Sequence, residues 1–297
     1  MILCVYALSL FIIDLIQLSW HCFIATIAAI YNLIIWPVKK SLKGEIILVT
    51  GAGHGVGREL AFEFSQRGGQ LVLWDIDENG LRQALSDIKK ANGKAACYKC
   101  DVTDREAVKQ TALKVREEIG NITILVNNAG ILYSKPFENC SYENIRKTIE
   151  VNLMAHFWTI QEFLPKMMEM NHGHIVAMSS LGAKVAIPNL LPCCTSKFAV
   201  TGLMEALGEE LRYYKKPNIF LTTVYPFIIN TGYPLLNPLI EPDFAAQKII
   251  NEVQRNAEHV YIPFHWEYLV RFMPLLPRKV QKLVFDFFDV GVNPQRD

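Results

Sequence analysis

A short β-rich run ending at Val49 and a helical run from Glu59 to Arg67 are joined by Thr50-Gly51-Ala52-Gly53-His54-Gly55-Val56-Gly57-Arg58. Glycines at this spacing let the backbone turn tightly and come close to a pyrophosphate, while the free N–H groups and positive dipole end of the following helix face it. A glycine motif alone carries little weight. The strand before it and the helix after it are what make this one informative.

From Gly44 onward the chain alternates short β-rich runs with amphipathic stretches of ten or more residues, the pattern of βαβ units and a mostly parallel sheet. Strands are expected at Ile46 to Val49, Leu71 to Trp74, Ala95 to Lys99, Ile124 to Val126, His174 to Ala177, Phe220 to Val224 and Val260 to Ile262. Right-handed connections then predict an α/β fold, a Rossmann-type doubly wound parallel sheet, with ligands outside the carboxyl ends of the strands. The second strand ends in Asp75, 24 residues after Gly51, where a carboxylate bonds both ribose hydroxyls and repels a 2′-phosphate. That favours NAD over NADP, a preference weakened by His54 and Arg58.

The 30 basic and 29 acidic residues leave a net charge of +1, so no general electrostatic case for nucleic-acid binding exists. Seven cysteines, irregularly spaced and odd in number, fit a reducing compartment better than a disulfide framework. Cys97 and Cys100 have the spacing of a metal or redox pair, but no second pair follows, and both read as strand-end packing; no metal is expected.

Residues 1–36 hold no Lys or Arg and one acid, Asp14, between two apolar runs, Ile2 to Ile13 and Trp20 to Trp36. A secretory signal would begin with basic residues and end at a small-residue cleavage site. Residues 1–38 are therefore expected to form an uncleaved membrane anchor, with a single spanning helix and a hairpin in one leaflet both compatible with the length. Lys39, Lys40 and Lys43 place the rest of the chain on the cytosolic side. A soluble terminal helix is the bland alternative, supported by Asp14 and His21. Residues 44–262 should form one domain, and 263–297 an amphipathic tail rich in aromatics beside Arg278, Lys279 and Lys282. That tail suits a lipid surface, with a homodimer contact or the domain's own core as competing uses.

The Thr50-Gly51-x-x-x-Gly55-x-Gly57 turn, followed by Asn127-Asn128-Ala129-Gly130 after the fourth strand, resembles the short-chain dehydrogenase/reductase family over Gly44 to Ile262. Leu73-Trp74-Asp75-Ile76, Ala155-His156-Phe157-Trp158-Thr159 and Asn171-His172-Gly173-His174-Ile175 are similar to the group of 17-beta-hydroxysteroid dehydrogenases types 11 and 13 and related retinol dehydrogenases. The resemblance implies a lipophilic substrate (a retinoid, steroid or fatty alcohol) and residence on endoplasmic-reticulum membrane or lipid droplets. It assigns Asp101 and Val102 to the adenine, and Asn128, Ala129 and Gly130 to the cofactor side of the sheet. Asn152 falls to a proton relay, Ser180 to orienting the substrate, and Lys197 to the ribose and the neighbouring acid. Pro226, Ile229 and Thr231 would seat the nicotinamide carboxamide. Residue by residue, bland readings stay open: Asn152 kinking its helix, Ser180 bonding a turn, His172 and His174 flanking the fifth strand.

The family's acid is the Tyr of Tyr-x-x-x-Lys, thirteen residues after the serine. In this chain that position is Cys193, four residues before Lys197. A free thiol is acidic enough, but it stops roughly 4 to 5 Å short of where a phenol oxygen would stand. Three readings follow: a slow oxidoreductase in which water relays the proton, a protein that binds NAD and lipid without turnover, or a reactive Cys193 thiolate favoured by Lys197. The greasy stretch Tyr225 to Pro242 is expected to cover the substrate or to be a packed loop.

Overall fold

The computed structural model describes residues 2–34, 37–227 and 240–287. It divides into two units, Met1–Lys40 and Ser41–Asp297. The first is one helix, α1 (Ile2–Ile34), with no turn between the two apolar runs. At 1.5 Å per residue it is about 50 Å long, more than the roughly 30 Å of a bilayer's hydrocarbon. Among the described residues, Leu10–Ala28 is long and apolar enough to cross a membrane, and it lies exposed. Polar side chains on it turn back onto their own helix: His21 Nδ1 lies 2.7 Å from the Gln17 carbonyl, and Thr26 Oγ1 donates to the Cys22 carbonyl at 2.8 Å.

The second unit runs β1 (Ile46–Thr50), α2 (Gly55–Gln66), β2 (Gln70–Asp75), α3 (Glu78–Lys90), β3 (Ala95–Lys99), α4 (Arg105–Glu118), β4 (Ile124–Asn127), α5 (Tyr142–Ile149), α6 (Ala155–Met170), β5 (Gly173–Met178), α7 (Leu191–Tyr213), β6 (Ile219–Pro226), α8 (Pro242–Gln254), β7 (His259–Ile262), α9 (His265–Phe272) and α10 (Arg278–Phe287). The seven strands form one sheet in the order β3-β2-β1-β4-β5-β6-β7, and all six pairings are parallel.

Both faces of the sheet are covered, so its strands read as unbroken apolar runs with no polar alternation. Ile47, Val49, Leu71, Leu73, Ile124 and Val126 meet Leu60 and Phe64 of α2, Ile88 of α3 and Ile249 of α8 on one side. Leu48, Val72, Trp74 and Leu125 meet Val108 of α4, Phe163 and Met167 of α6 and Val200 of α7 on the other. Side-chain caps fix three helix starts: Asp77 on Asn79 N–H, Asp104 on Glu106 and Ala107 N–H, and Ser141 on Asn144 N–H.

Chain order reverses between β1, which pairs with β2, and β4, its other neighbour. A parallel sheet opens a crevice at such a point, and the carboxyl ends of β1, β4 and β5 border it. Beyond β7 the start of the tail packs with the fold: Trp266 is buried beside Leu181 and Tyr225, its ring 4.9 Å from that of Phe227, and Met273 is buried too. Phe264, Tyr268, Phe272, Leu275 and Leu283 remain exposed.

Candidate active site

The glycine turn is shaped by contacts that a side chain would destroy. Gly51 and Gly55 have φ of +67° and +55°, the left-handed region that favours glycine. A β-carbon on Gly57 would lie 2.0 Å from the Gly51 carbonyl oxygen and 2.5 Å from Asn128 Nδ2; one on Gly51 would lie 2.9 Å from Ala129 Cα. Asn128 locks the turn, its Nδ2 donating to the carbonyls of Thr50 (3.0 Å) and Gly51 (3.2 Å). Thr50 Oγ1 accepts from the N–H groups of Asn128 and Ala129, each at 3.1 Å. The ends of β1 and β4 are thus stitched together. Val56 is buried under the first turn of α2, and exposed His54, which precedes it, makes no side-chain cap there.

Asp75, the last residue of β2, is buried against this turn. One carboxylate oxygen accepts from Gly53 N–H at 2.8 Å, the other from Asp77 N–H at 2.9 Å. A β-carbon on Gly53 would stand 2.9 Å from that carboxylate. Arg58 is committed elsewhere, paired with Asp87 of α3. Asp101 receives Thr103 N–H and Oγ1 in its own turn, and Val102 is buried in the core.

Across the crevice, Lys197 of α7 is 8% exposed and its Nζ donates to the Met178 carbonyl, at the end of β5, over 2.6 Å. Burial holds its pKa below the ordinary lysine value. Gly130 borders both groups: a β-carbon there would make ordinary contacts, 3.5 Å from Asn152 Oδ1 and 3.7 Å from Lys197 Nζ. Ser179 buttresses the lysine from the sheet, its Oγ donating to the Lys197 carbonyl at 3.0 Å. Spacing gave no sign of this, because Ser179 and Ser180 are adjacent in sequence and only the strand's pleat decides which one points inward.

Ser180 accepts Gly182 N–H at 3.0 Å, so the turn-bonding reading of its side chain holds while its own hydroxyl hydrogen stays available. Asn152 sits in a wide π-type turn, Glu150–Met154, leading into α6. Its Oδ1 accepts Ile131 N–H at 2.8 Å, and its Nδ2 donates to the Ile131 carbonyl (3.0 Å) and Ser196 Oγ (3.3 Å). Both amide hydrogens are used, so the side chain ties the π-type turn to the loop after β4.

Cys193 lies one turn before Lys197 and packs with Leu132, Ile187 and Leu190. Burial pushes its thiol up to about 11, outweighing the opposing pull of Lys197. That opposes the reading of Cys193 as a thiolate favoured by Lys197. Pro226 is buried at the end of β6. Ile229 and Thr231, with most of the stretch expected to cover the substrate, lie outside the described residues. Cys97 and Cys100 serve cores on opposite faces of the sheet, so their side chains do not converge. His174 meets Thr222 Oγ1 at 2.8 Å inside the sheet, and His172 meets Glu45 at 3.1 Å on its rim.

His156 is a buried titratable residue to which the sequence assigned no role. It follows Asn152 by four residues on the same helical face, is 2% exposed, and neither ring nitrogen has a hydrogen-bond partner.

The family model described as short chain dehydrogenase matches residues 45–234. Estradiol 17-beta-dehydrogenase 11 of Mus musculus is 38% identical over 258 residues, covering 85% of this chain and 87% of that protein. Epidermal retinol dehydrogenase 2 of Homo sapiens is 36% identical over 272 residues, covering 89% of this chain and 88% of that protein. The crystal structure of a metagenomic short-chain oxidoreductase in complex with NADP superposes with a TM-score of 0.64 at 28% identity, covering 75% of this chain and 96% of that one. With a parallel sheet of this order and a glycine turn closed on Asp75, the chain belongs to the short-chain dehydrogenase/reductase family.

Proposed function

We propose that this chain is a lipid-surface oxidoreductase that uses NAD on lipophilic alcohols or ketones of the retinoid, steroid or fatty-alcohol kind. The observation that carries the reading is the Asp75 carboxylate held at the mouth of the glycine turn by Gly53 N–H. The residues fit a dinucleotide: β-carbons at Gly51 and Gly57 would close the cradle, the first turn of α2 carries no side-chain cap, and Asp75 stands where a ribose is read. Its charge disfavours a 2′-phosphate, and Arg58, already paired, does not offset it. Thr50, Gly51, Gly53, His54, Gly55, Val56, Gly57 and Asp75 hold the pyrophosphate and sugar end, with Asp101 and Val102 at the adenine. Asn128, Ala129, Gly130 and Lys197 line the second ribose, and Pro226, Ile229 and Thr231 the carboxamide.

A bound nicotinamide supplies or accepts the hydride. The chain's own task is the proton. Ser180 Oγ orients the substrate oxygen, and Lys197, desolvated and tied to Met178, stands ready to exchange a proton through water in the space where the family's phenol would lie. Asn152 contributes by holding that wall in place. With its thiol neutral and packed, Cys193 makes turnover slow. The same packing favours a second reading, a cofactor-binding protein on a lipid surface with no useful turnover.

Placement on endoplasmic-reticulum membrane or droplets, with the folded unit in the cytosol, is supported by the apolar α1. The exposed Phe264, Tyr268, Phe272 and Leu283, among Arg271, Arg278, Lys279 and Lys282, support lipid contact by the second unit. Deleting residues 1–38 together with the tail after 276, with Phe264, Tyr268 and Phe272 replaced by Ser, should release the chain from liposomes; retention would contradict this placement.

The chemistry is tested by assaying the detergent-solubilised chain and Cys193→Tyr with NAD and a panel of retinols, steroids and fatty alcohols. The substitution should raise the rate by about 10²- to 10⁴-fold, the usual worth of a general acid or base. A variant that binds NADH yet oxidises none of them would overturn the assignment.

A further inference from the structure

Buried polar groups are almost always hydrogen-bonded, to protein or to ordered water. At the carboxyl end of β4 two side chains break this rule together. Asn127 is 2% exposed; its Oδ1 accepts from Thr159 Oγ1 at 2.8 Å, which leaves its Nδ2 without a protein partner. His156 is equally buried, and both its ring nitrogens are unpartnered. Thr159 links the two, since its hydroxyl also lies 3.1 Å from the His156 carbonyl.

The place is not arbitrary. Asn127 pairs in register with Ala177, the residue before Met178, whose carbonyl takes Lys197 Nζ. Asn152, one helical turn before His156, reaches Ser196 beside the lysine. Burial, with the Lys197 charge as the smaller contribution, presses the His156 pKa down to about 3, so the ring is neutral and keeps one bare nitrogen. Lys197 itself, an ammonium with three hydrogens, donates to Met178. Leaving these donors and acceptors bare is costly, and one water with several polar neighbours relieves three of them: the lysine, the Asn127 amide and the bare ring nitrogen.

We propose that His156 and Asn127 anchor a buried water that gives the Lys197 ammonium a second acceptor, so that His156 is a positioning residue for the lysine. The water oxygen accepts from Lys197 Nζ and Asn127 Nδ2 and gives one hydrogen to the bare ring nitrogen of His156. The purpose of this site rests on the role proposed above for Lys197. Because the hydrogen bond is made to the charged form, it offsets part of the desolvation that lowers the lysine's pKa. The titratable groups whose charges bear on this pair are Cys193 on the lysine's own helix and the two members themselves; Met178, Ser179 and Asn127 face it from the sheet without titrating.

Two measurements test it on the full chain in detergent. Titration with NADH between pH 6 and 10 should show that His156→Leu loses affinity at pH 9, relative to pH 7, about tenfold more than the native chain, the worth of one hydrogen bond to a charged group. His156→Gln, which keeps a donor and an acceptor, should follow the native profile. A folded His156→Leu with an unchanged profile, or His156→Gln falling with it, overturns the proposal.

The second readout needs no cofactor: ¹⁵N spectra of ring-labelled protein, with His156 assigned by its absence in His156→Gln. They should show a neutral ring from pH 5 to 8 whose bare nitrogen carries the displacement of an accepted hydrogen bond. An undisplaced nitrogen overturns the proposal even if NADH binds, whereas failure of the native chain to bind NADH would instead defeat the functional reading.

Discussion

Gly57→Ala isolates the geometry on which dinucleotide binding depends. The added β-carbon would lie 2.0 Å from the Gly51 carbonyl oxygen, and real β-carbons do not come within 3.0 Å of such an atom, so turn and helix must part by at least 1 Å. Neither side yields cheaply. The Gly51 carbonyl is held by Asn128 Nδ2, itself 2.5 Å from the new methyl, and α2 is fixed by Val56, Leu60 and Phe64 in the core. Overpacking of this kind costs about 1 to 3 kcal/mol, a fall in Tm of roughly 2 to 12 °C for a chain of this size. The N–H groups that would face a pyrophosphate move with the turn, and a 1 Å misplacement is worth about a hundredfold where geometry is exacting. Fluorescence titration with NADH should therefore show affinity reduced by at least about tenfold in a variant whose far-ultraviolet circular dichroism is native. Native affinity in a folded Gly57→Ala would refute the cradle and with it the placement of the cofactor.

Gly202 is the matched contrast: it lies exposed inside α7 with nothing within 4 Å of a β-carbon, so Gly202→Ala should raise Tm by about 1 to 4 °C and leave NADH affinity unchanged, as melting curves would show. Asp75→Asn removes the charge that repels a 2′-phosphate, and parallel titrations should find the NADH-over-NADPH preference reduced at least about tenfold; an unchanged ratio would show that Asp75 does not read the sugar. His156 titrates near 6.5 when unfolded and at about 3 when folded. The unfolded chain therefore binds the extra proton in this window, and the stability that the neutral ring secures above pH 6.5 drains away as pH falls toward 3. Between pH 7 and pH 4 the native chain should lose about 3 kcal/mol more than His156→Gln, and equal losses in thermal melts would contradict the buried neutral ring.

The seven strands were legible because parallel strands covered on both faces are short unbroken apolar runs, and only their ends moved by a residue or two: β1 continues through Thr50, β5 begins at Gly173 and β6 extends to Pro226. The glycine turn was legible because φ-positive positions and close approaches demand glycine, and Asp75 because a strand end fixes where its side chain emerges. The wide turn at Asn152 was hidden, since it depends on partners 21 and 44 residues away. The state of Cys193 was hidden too: spacing shows that it shares a helical face with Lys197, but only packing reveals that desolvation overcomes the lysine's pull. Likewise, Ile2 to Ile13 and Trp20 to Trp36 read as one helix or two, because the stretch between them, with Asp14, Gln17 and Ser19, can continue a helix as readily as end a segment.

The crevice divides responsibilities between neighbouring strand pairs. Recognition of the pyrophosphate and first sugar would be vested in β1, β2 and the turn between β1 and α2, whereas Ser180 and Cys193 sit after β5 and on α7, and Lys197 is the residue that would serve both halves. Chemistry in such a molecule can decay at one address without unseating the tenant of the other. On the proposed reading, a thiol on α7 in place of the family's phenol would leave that nucleotide end of the crevice intact.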